Sequence, residues 1–178
     1  EILGRELGID PNAVAYASTG VIGVRLPMDK VIPGVIDAAK HLSPRGGRAA
    51  AEAIMTTDTF AKECAVRVTI GGKLVTIGGM AKGSGMIHPN MATMLCFVAT
   101  DAMIERPLLQ MALRDVADKT FNCITVDGDT STNDMVIAMA NGLAGNDRIR
   151  ELGEDYARFA GALEYVCTDL AKKIARDG

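Results

Sequence analysis

Apolar residues recur at three- and four-residue intervals across Asp155–Ala175, where Tyr156, Phe159, Ala160, Leu163, Val166, Cys167, Leu170 and Ile174 share one stripe. That spacing predicts a long amphipathic helix. Looser versions predict helices over Glu1–Leu7 (closed by Gly8), Met28–Leu42, Arg48–Met55 and Pro107–Phe121. Within the second of these, Pro33-Gly34 is expected to kink or restart the helix, because proline lacks an N–H and clashes with the preceding turn. Apolar runs predict strands at Ala13–Ser18, Met94–Thr100 and, briefly, Ile124–Val126, and a further run follows at Met135–Ala140. Cys64–Ile70 and Lys73–Ile77 flank Gly71-Gly72, a hairpin signature. The stretch Gly78–Gly85 is too glycine-rich to be expected as regular structure, and Asp127–Asp134 reads as a polar loop. Helices and strands alternate, yet a hairpin is present. The expected class is therefore α/β (α+β), with a mixed or antiparallel sheet packed with helices.

Composition narrows the function classes. At 178 residues the chain is one domain or a large piece of one, and no repeat, low-complexity tract or linker divides it. There are 19 Lys+Arg against 22 Asp+Glu, net −3, which lacks the basic excess of a nucleic-acid binder. No apolar run approaches the roughly 18 residues of a membrane span. The absence of Trp, with 3 Tyr and 4 Phe, leaves few stacking platforms for bases or sugars. Four separate cysteines without CxxC spacing predict reduced thiols in a cytoplasmic protein. Two histidines are too few for a His-rich metal site. The sequence begins at Glu1 without a charged-then-apolar stretch, so no secretory signal is visible in it, and both ends read as cuts through a longer protein.

Several motifs fail on spacing. In Gly78–Gly85 the order Lys82-Gly83-Ser84 puts the lysine before the glycine, whereas a Walker loop needs GxxxxGK[ST]. Counted from Asp127, the calcium-loop positions six and twelve hold Thr132 and Ala138 instead of Gly and Glu. A turn accounts for part of Asp127–Asp134, but its polar density also predicts a buried hydrogen-bond network near a site. His41 sits at an expected helix end, where a cation is favoured, and His88 precedes Pro89 in a loop. What remains is hydroxyl chemistry around Met86–Leu95. Thr93 reads either as an ordinary strand-start residue or as a nucleophile. The second reading requires cleavage before it, so that its own α-amine, with a pKa near 7.7–8.0, serves as the base.

The run Met80-Ala81-Lys82-Gly83-Ser84-Gly85-Met86-Ile87-His88-Pro89-Asn90-Met91-Ala92-Thr93-Met94-Leu95 resembles the self-cleavage segment of the ornithine acetyltransferase (glutamate N-acetyltransferase) family. Ala17–Gly23, Ala53–Thr59 and Ile124–Asp134 resemble the same family in the same order. The likeness spans nearly the whole chain and corresponds to the middle of a family member.

The resemblance implies the family's fold, shared with self-processing aminopeptidases, and an acetyltransferase of arginine biosynthesis. The precursor would cut itself between Ala92 and Thr93, so that residues 1–92 end an α chain and residues 93–178 start a β chain. Thr93 would carry acetyl from N-acetylornithine to glutamate, with Thr19 and Gly20 as oxyanion donors and Thr59, Lys82 and Thr93 as substrate contacts. No metal or organic cofactor is implied, and acetyl-CoA is an alternative acetyl donor. The two chains are expected to stay together and pair as α2β2. Family members carry an N-terminal part and a Glu-containing, glycine-rich C-terminal segment that this sequence lacks. Two alternatives accompany this reading: a related self-processing amidase or aminopeptidase, in which water takes the acyl group, and an inactive truncated fragment.

Overall fold

The structure is a computed structural model that describes residues 1–88 and 94–178. It contains two compact units, Glu1–Ala49 and Ala50–Gly178.

In the first unit, α1 (Ile2–Leu7) ends at Gly8, whose φ of 66° lets the Gly8 and Ile9 N–H groups turn back onto Arg5 and Gly4 carbonyls. Asp10 then caps a 3₁₀ turn over Pro11–Ala13 by accepting the Asn12 N–H at 2.9 Å. The expected strand at Ala13–Ser18 does not form: Ala13 closes the 3₁₀ turn and residues 14–20 have no ladder partner. An apolar run alone cannot make a strand without a neighbour to take its N–H and C=O groups. The second helix, α2 (Met28–Lys40), runs unbroken through Pro33 instead of restarting there. Pro33 and Gly34 lie on its exposed side, where the carbonyl left without an N–H can be hydrated.

The helix α3 (Gly47–Ala53) leads into the second unit. There, strands β1 (Lys62–Ile70), β2 (Lys73–Lys82), β3 (Leu95–Thr100) and β4 (Met135–Ala140) form one sheet in sequence order. The first three pair antiparallel and β4 joins β3 in parallel, so the sheet is mixed, as expected. Gly71 and Gly72 take φ of 54° and 73° at the β1–β2 turn, the two positive angles such a hairpin requires. The crossover to β4 carries α4 (Arg106–Lys119), and α5 (Glu154–Asp177) lies across β1 and β2.

The buried residues of α5, from Phe159 to Ile174, close the core over Ile70, Val75, Ile77 and Val98. Strand β2 continues to Lys82, past the glycines expected to end it. The reason is packing: a Cβ at Gly79 would stand 3.0 Å from Leu170 Cδ1 and 3.3 Å from both Val166 Cγ1 and Phe97 O. Glycine is there because α5 rests on the strand. Ile124–Val126 is not a strand either. The chain passes from a 3₁₀ turn at Phe121–Cys123 into a loop held by Val126 N–H to Ile87 O, 2.7 Å. All four cysteines are free, and burial pushes the Cys167 thiol up to about 12. No helix among the described residues is long and apolar enough to cross a membrane.

Candidate functional site

Lys62 opens β1 and is wholly buried. Alternation explains its direction: positions 62, 64, 66, 68 and 70 face the helices, while Ala65, Arg67 and Thr69 face solvent. A buried ammonium needs partners. Lys62 Nζ donates to Asp58 Oδ1 at 2.7 Å and to Asp177 Oδ2, and it stands 4.8 Å from the centre of the Phe60 ring. Asp58 is itself buried and fully engaged. Its Oδ1 also accepts the Gly83 N–H at 2.6 Å, and its Oδ2 accepts the Thr56 N–H at 3.1 Å. Asp177, at the end of α5, accepts the backbone N–H and the hydroxyl of Thr59.

Lys82 ends β2 beside this cluster. Its ammonium is buried and stands 3.8 Å from Asp58 Oδ2, and among the described residues it makes no closer hydrogen bond. Two lysines and two aspartates thus balance in charge, but Lys62 takes the short contacts and Lys82 is paired loosely. Burial pushes the Asp58 carboxyl up, yet the Gly83 N–H, the Lys62 ammonium and the Thr56 N–H together outweigh it and hold the group below its ordinary value. Asp177 follows the same pattern, with burial outweighed by Lys62 and Thr59.

A second group of contacts lies across the β2–β3 connection. Asp127 accepts the N–H groups of Met86 and of Ile87 (2.9 Å), Thr125 Oγ1 donates to Ile87 O at 3.0 Å, and His88 Nδ1 is 3.2 Å from that hydroxyl. Asp134 accepts the Met94 N–H at 2.8 Å. The polar run 127–134 is therefore a hydrogen-bond network, as its density predicts, but it is half exposed and not buried.

Of the residues singled out from the sequence, Thr59 and Lys82 come together around Asp58 and Asp177, although 23 positions separate them in the chain. Thr19 is half-buried and Gly20 exposed, both in the irregular segment of the first unit. A Cβ at Gly20 would be 3.5 Å from Leu26 Cδ2, so the local fold does not itself demand glycine there. Ala92 and Thr93 lie outside the described residues. Sequence reasoning missed Asp58, Lys62, Asp134 and Asp177. The signal for Lys62 was available in its parity with the inward positions of β1. Asp177 falls past the last apolar position of the α5 stripe, and nothing local marks it.

The chain matches the ArgJ family model over residues 1–178. It is 64% identical over 172 residues to the arginine biosynthesis bifunctional protein ArgJ of Symbiobacterium thermophilum, covering 97% of this chain and 43% of that protein. It is 57% identical over 178 residues to the protein of that name from Bacillus subtilis, covering all of this chain and 43% of that one. A crystal structure of ArgJ from Bacillus halodurans is 57% identical, covering 46% of this chain and 38% of that chain, with a TM-score of 0.45. The chain thus spans under half the length of the curated relatives it matches. With the whole chain inside one family model and these identities beside it, the chain belongs to the ArgJ family, in keeping with the resemblance its motifs carry.

Proposed function

We propose that this chain carries the self-cleaving, acetyl-transferring centre of an ornithine acetyltransferase that works in the cytoplasm. The observation that carries this reading is the convergence of Thr59 and Lys82 at the end of β2. There the strand register pairs Lys82 with Leu95, two residues along the chain from Thr93.

In the self-cleavage step, Thr93 Oγ attacks the carbonyl carbon of Ala92. The C–N bond breaks, the Thr93 nitrogen gains a proton, and an ester links the two residues. Water then hydrolyses the ester, leaving the Ala92 carboxylate and a Thr93 with both hydroxyl and α-amine free. In transfer, the amine takes the hydroxyl proton while Oγ attacks the acetyl carbon of N-acetylornithine. Ornithine leaves with that proton; the glutamate amine then attacks the acetyl ester, the acetyl carbon–Oγ bond breaks, and Oγ takes the proton lost by that amine, restoring the Thr93 hydroxyl and releasing N-acetylglutamate. The Thr19 hydroxyl and the Gly20 N–H are the oxyanion donors in this reading.

The geometry suits binding of an amino-acid substrate. Lys82 presents a buried cation that its loose 3.8 Å pairing leaves only partly neutralised, matched to a substrate α-carboxylate. The Thr59 hydroxyl donates to Asp177 and so keeps its oxygen as an acceptor for a substrate ammonium. The acyl carrier is Thr93 itself, so the chemistry calls for no metal or organic cofactor, and acetyl-CoA enters only as a second acetyl donor. The two processed chains remain together and pair as α2β2.

Intact mass and N-terminal sequencing of the full-length protein test the reading. The expected products end at Ala92 and begin at Thr93, and Thr93→Ala is expected to stay whole. Acetyl transfer from N-acetylornithine should depend on glutamate. Free acetate released at the same rate without glutamate would replace the transferase with an amidase.

A further inference from the structure

We infer that Asp134 is a positioning residue for self-cleavage, fixing the backbone of Met94, which is peptide-bonded to Thr93. The inference rests on the reading of Ala92–Thr93 as the scissile bond.

Both backbone polar groups of Met94 are held by two adjacent residues. Asp134 Oδ1 accepts the Met94 N–H at 2.8 Å, and the Met135 N–H donates to Met94 O at 3.1 Å. Met135 begins β4, whose parallel register places it opposite Leu95, so this clamp is continuous with the sheet. On the other side, Asp127 and Val126 hold Met86 and Ile87. One loop therefore grips the described residues on both sides of positions 89–93.

Two further features are in keeping with this role. Met86 has a φ of 58°, a left-handed conformation that a non-glycine residue keeps only when its surroundings impose it, and its N–H is bound by Asp127. Burial pushes the Asp134 carboxyl up, opposed by the Met94 N–H, Ser131 and the charge of Lys82. A carboxylate is disfavoured at this place, and the strongest contact opposing that is the Met94 N–H.

Attack by Oγ on the preceding carbonyl needs a near-attack geometry of about 3–3.5 Å, and a displacement of about 1 Å costs on the order of 100-fold in rate. Asp134 binds the residue beside the nucleophile and neither reacting atom, so its effect is exerted through Met94.

The experiment follows cleavage of the freshly translated full-length protein over time by intact mass, in wild type, Asp134→Ala and Asp134→Asn. Asparagine keeps an oxygen acceptor and removes the charge. Asp134→Asn is expected to cleave within about threefold of wild type, and Asp134→Ala on the order of 100-fold more slowly. Amide exchange at Met94, read in a Thr93→Ala background that stays whole, should speed up in Asp134→Ala alone, with Val98 and Ile77 unchanged. An alanine variant that cleaves at the wild-type rate overturns the inference. So does an asparagine variant as slow as alanine, because the charge and not the acceptor would then be acting. Should Asp134→Ala lose protection across β3, the asparagine variant decides alone: near-wild-type cleavage upholds the inference and slow cleavage overturns it. An uncleaved wild type sinks the scissile-bond reading and this inference with it, whereas a cleaved wild type beside a cleaved alanine variant sinks this inference only.

Discussion

Replacing Lys62 by methionine is expected to cost about 3 kcal/mol of stability, the low end of the roughly 3–5 kcal/mol for removing one partner of a buried ion pair. The side chains of Lys62, Asp58 and Asp177 are all 1% exposed or less, so water cannot replace the lost ammonium without local opening. Methionine keeps most of the apolar stem, so the loss reports the charge and not a cavity. The low end applies because Asp58 retains the Gly83 and Thr56 N–H groups, with Lys82 still 3.8 Å away. At about 2–4 °C per kcal/mol for a protein of this size, the midpoint should fall by about 6–12 °C in a thermal melt.

The pH dependence provides an independent check. Asp58 and Asp177 titrate below their ordinary value of 3.8 in the folded protein, so their contribution is present above that value and is lost as pH falls through the lower, folded value. In the methionine variant burial still opposes ionisation but the Lys62 cation is gone, so protonation costs less or even helps. The gap between wild type and variant should therefore shrink from pH 6 towards pH 3. A loss below about 1 kcal/mol, or a gap that widens on acidification, would refute the reasoning that this cluster is held by charge.

Gly79→Ala is expected to destabilise by about 1–3 kcal/mol in urea titration, because its Cβ would meet Leu170 at 3.0 Å and the Phe97 carbonyl at 3.3 Å. Gly78→Ala on the same strand would meet the Ala65 Cβ at 3.6 Å and the Cys64 carbonyl at 3.8 Å, both ordinary van der Waals contacts, and should cost less than half as much in the same assay. Leu163→Ala removes a fully buried side chain of α5 and should cost about 2–5 kcal/mol, read by the same titration. On the proposed acetyl-transfer function, Lys82→Met in the full-length protein should raise KM for N-acetylornithine about tenfold or more with less effect on self-cleavage. That follows from the loss of a charge-assisted contact worth about 1.5–3 kcal/mol.

Much of the second unit could be read from its pattern. The α5 stripe, the Gly71-Gly72 hairpin and the apolar runs at β3 and β4 all carry a local signal that agrees with the tertiary outcome, and in α5 the side that is apolar is the side that is covered. Errors came where a local rule was overruled by a neighbour, or lacked one. Gly78-Gly79 looks like a strand breaker in isolation, but a helix lying on the sheet needs a position without a Cβ. Ala13–Ser18 has the composition of a strand, but it joins no ladder of the sheet. Pro33 sits on the exposed side of α2, where its missing N–H is tolerated.

The candidate site was legible to different depths for a related reason. Thr59 and Lys82 stand out by resemblance, but nothing in their immediate sequence says that they meet. They meet because Asp58 joins the loop before β1 to the end of β2 through the Gly83 N–H, while the hairpin folds Lys82 back beside Lys62. That junction in turn needs Asp177, which lies 115 positions from Lys62 and reaches it only when α5 has packed across β1 and β2. Closing so long a loop is entropically unfavourable, so the contact depends on the core beneath it to offset that cost. The arrangement around Lys82 is therefore a product of the completed second unit. Perturbing α5 far from the site, as in Leu163→Ala, should loosen the Asp177 contact along with the core. A local motif search has no access to that dependence, because the residues that hold Thr59 and Lys82 in place come from both ends of the unit.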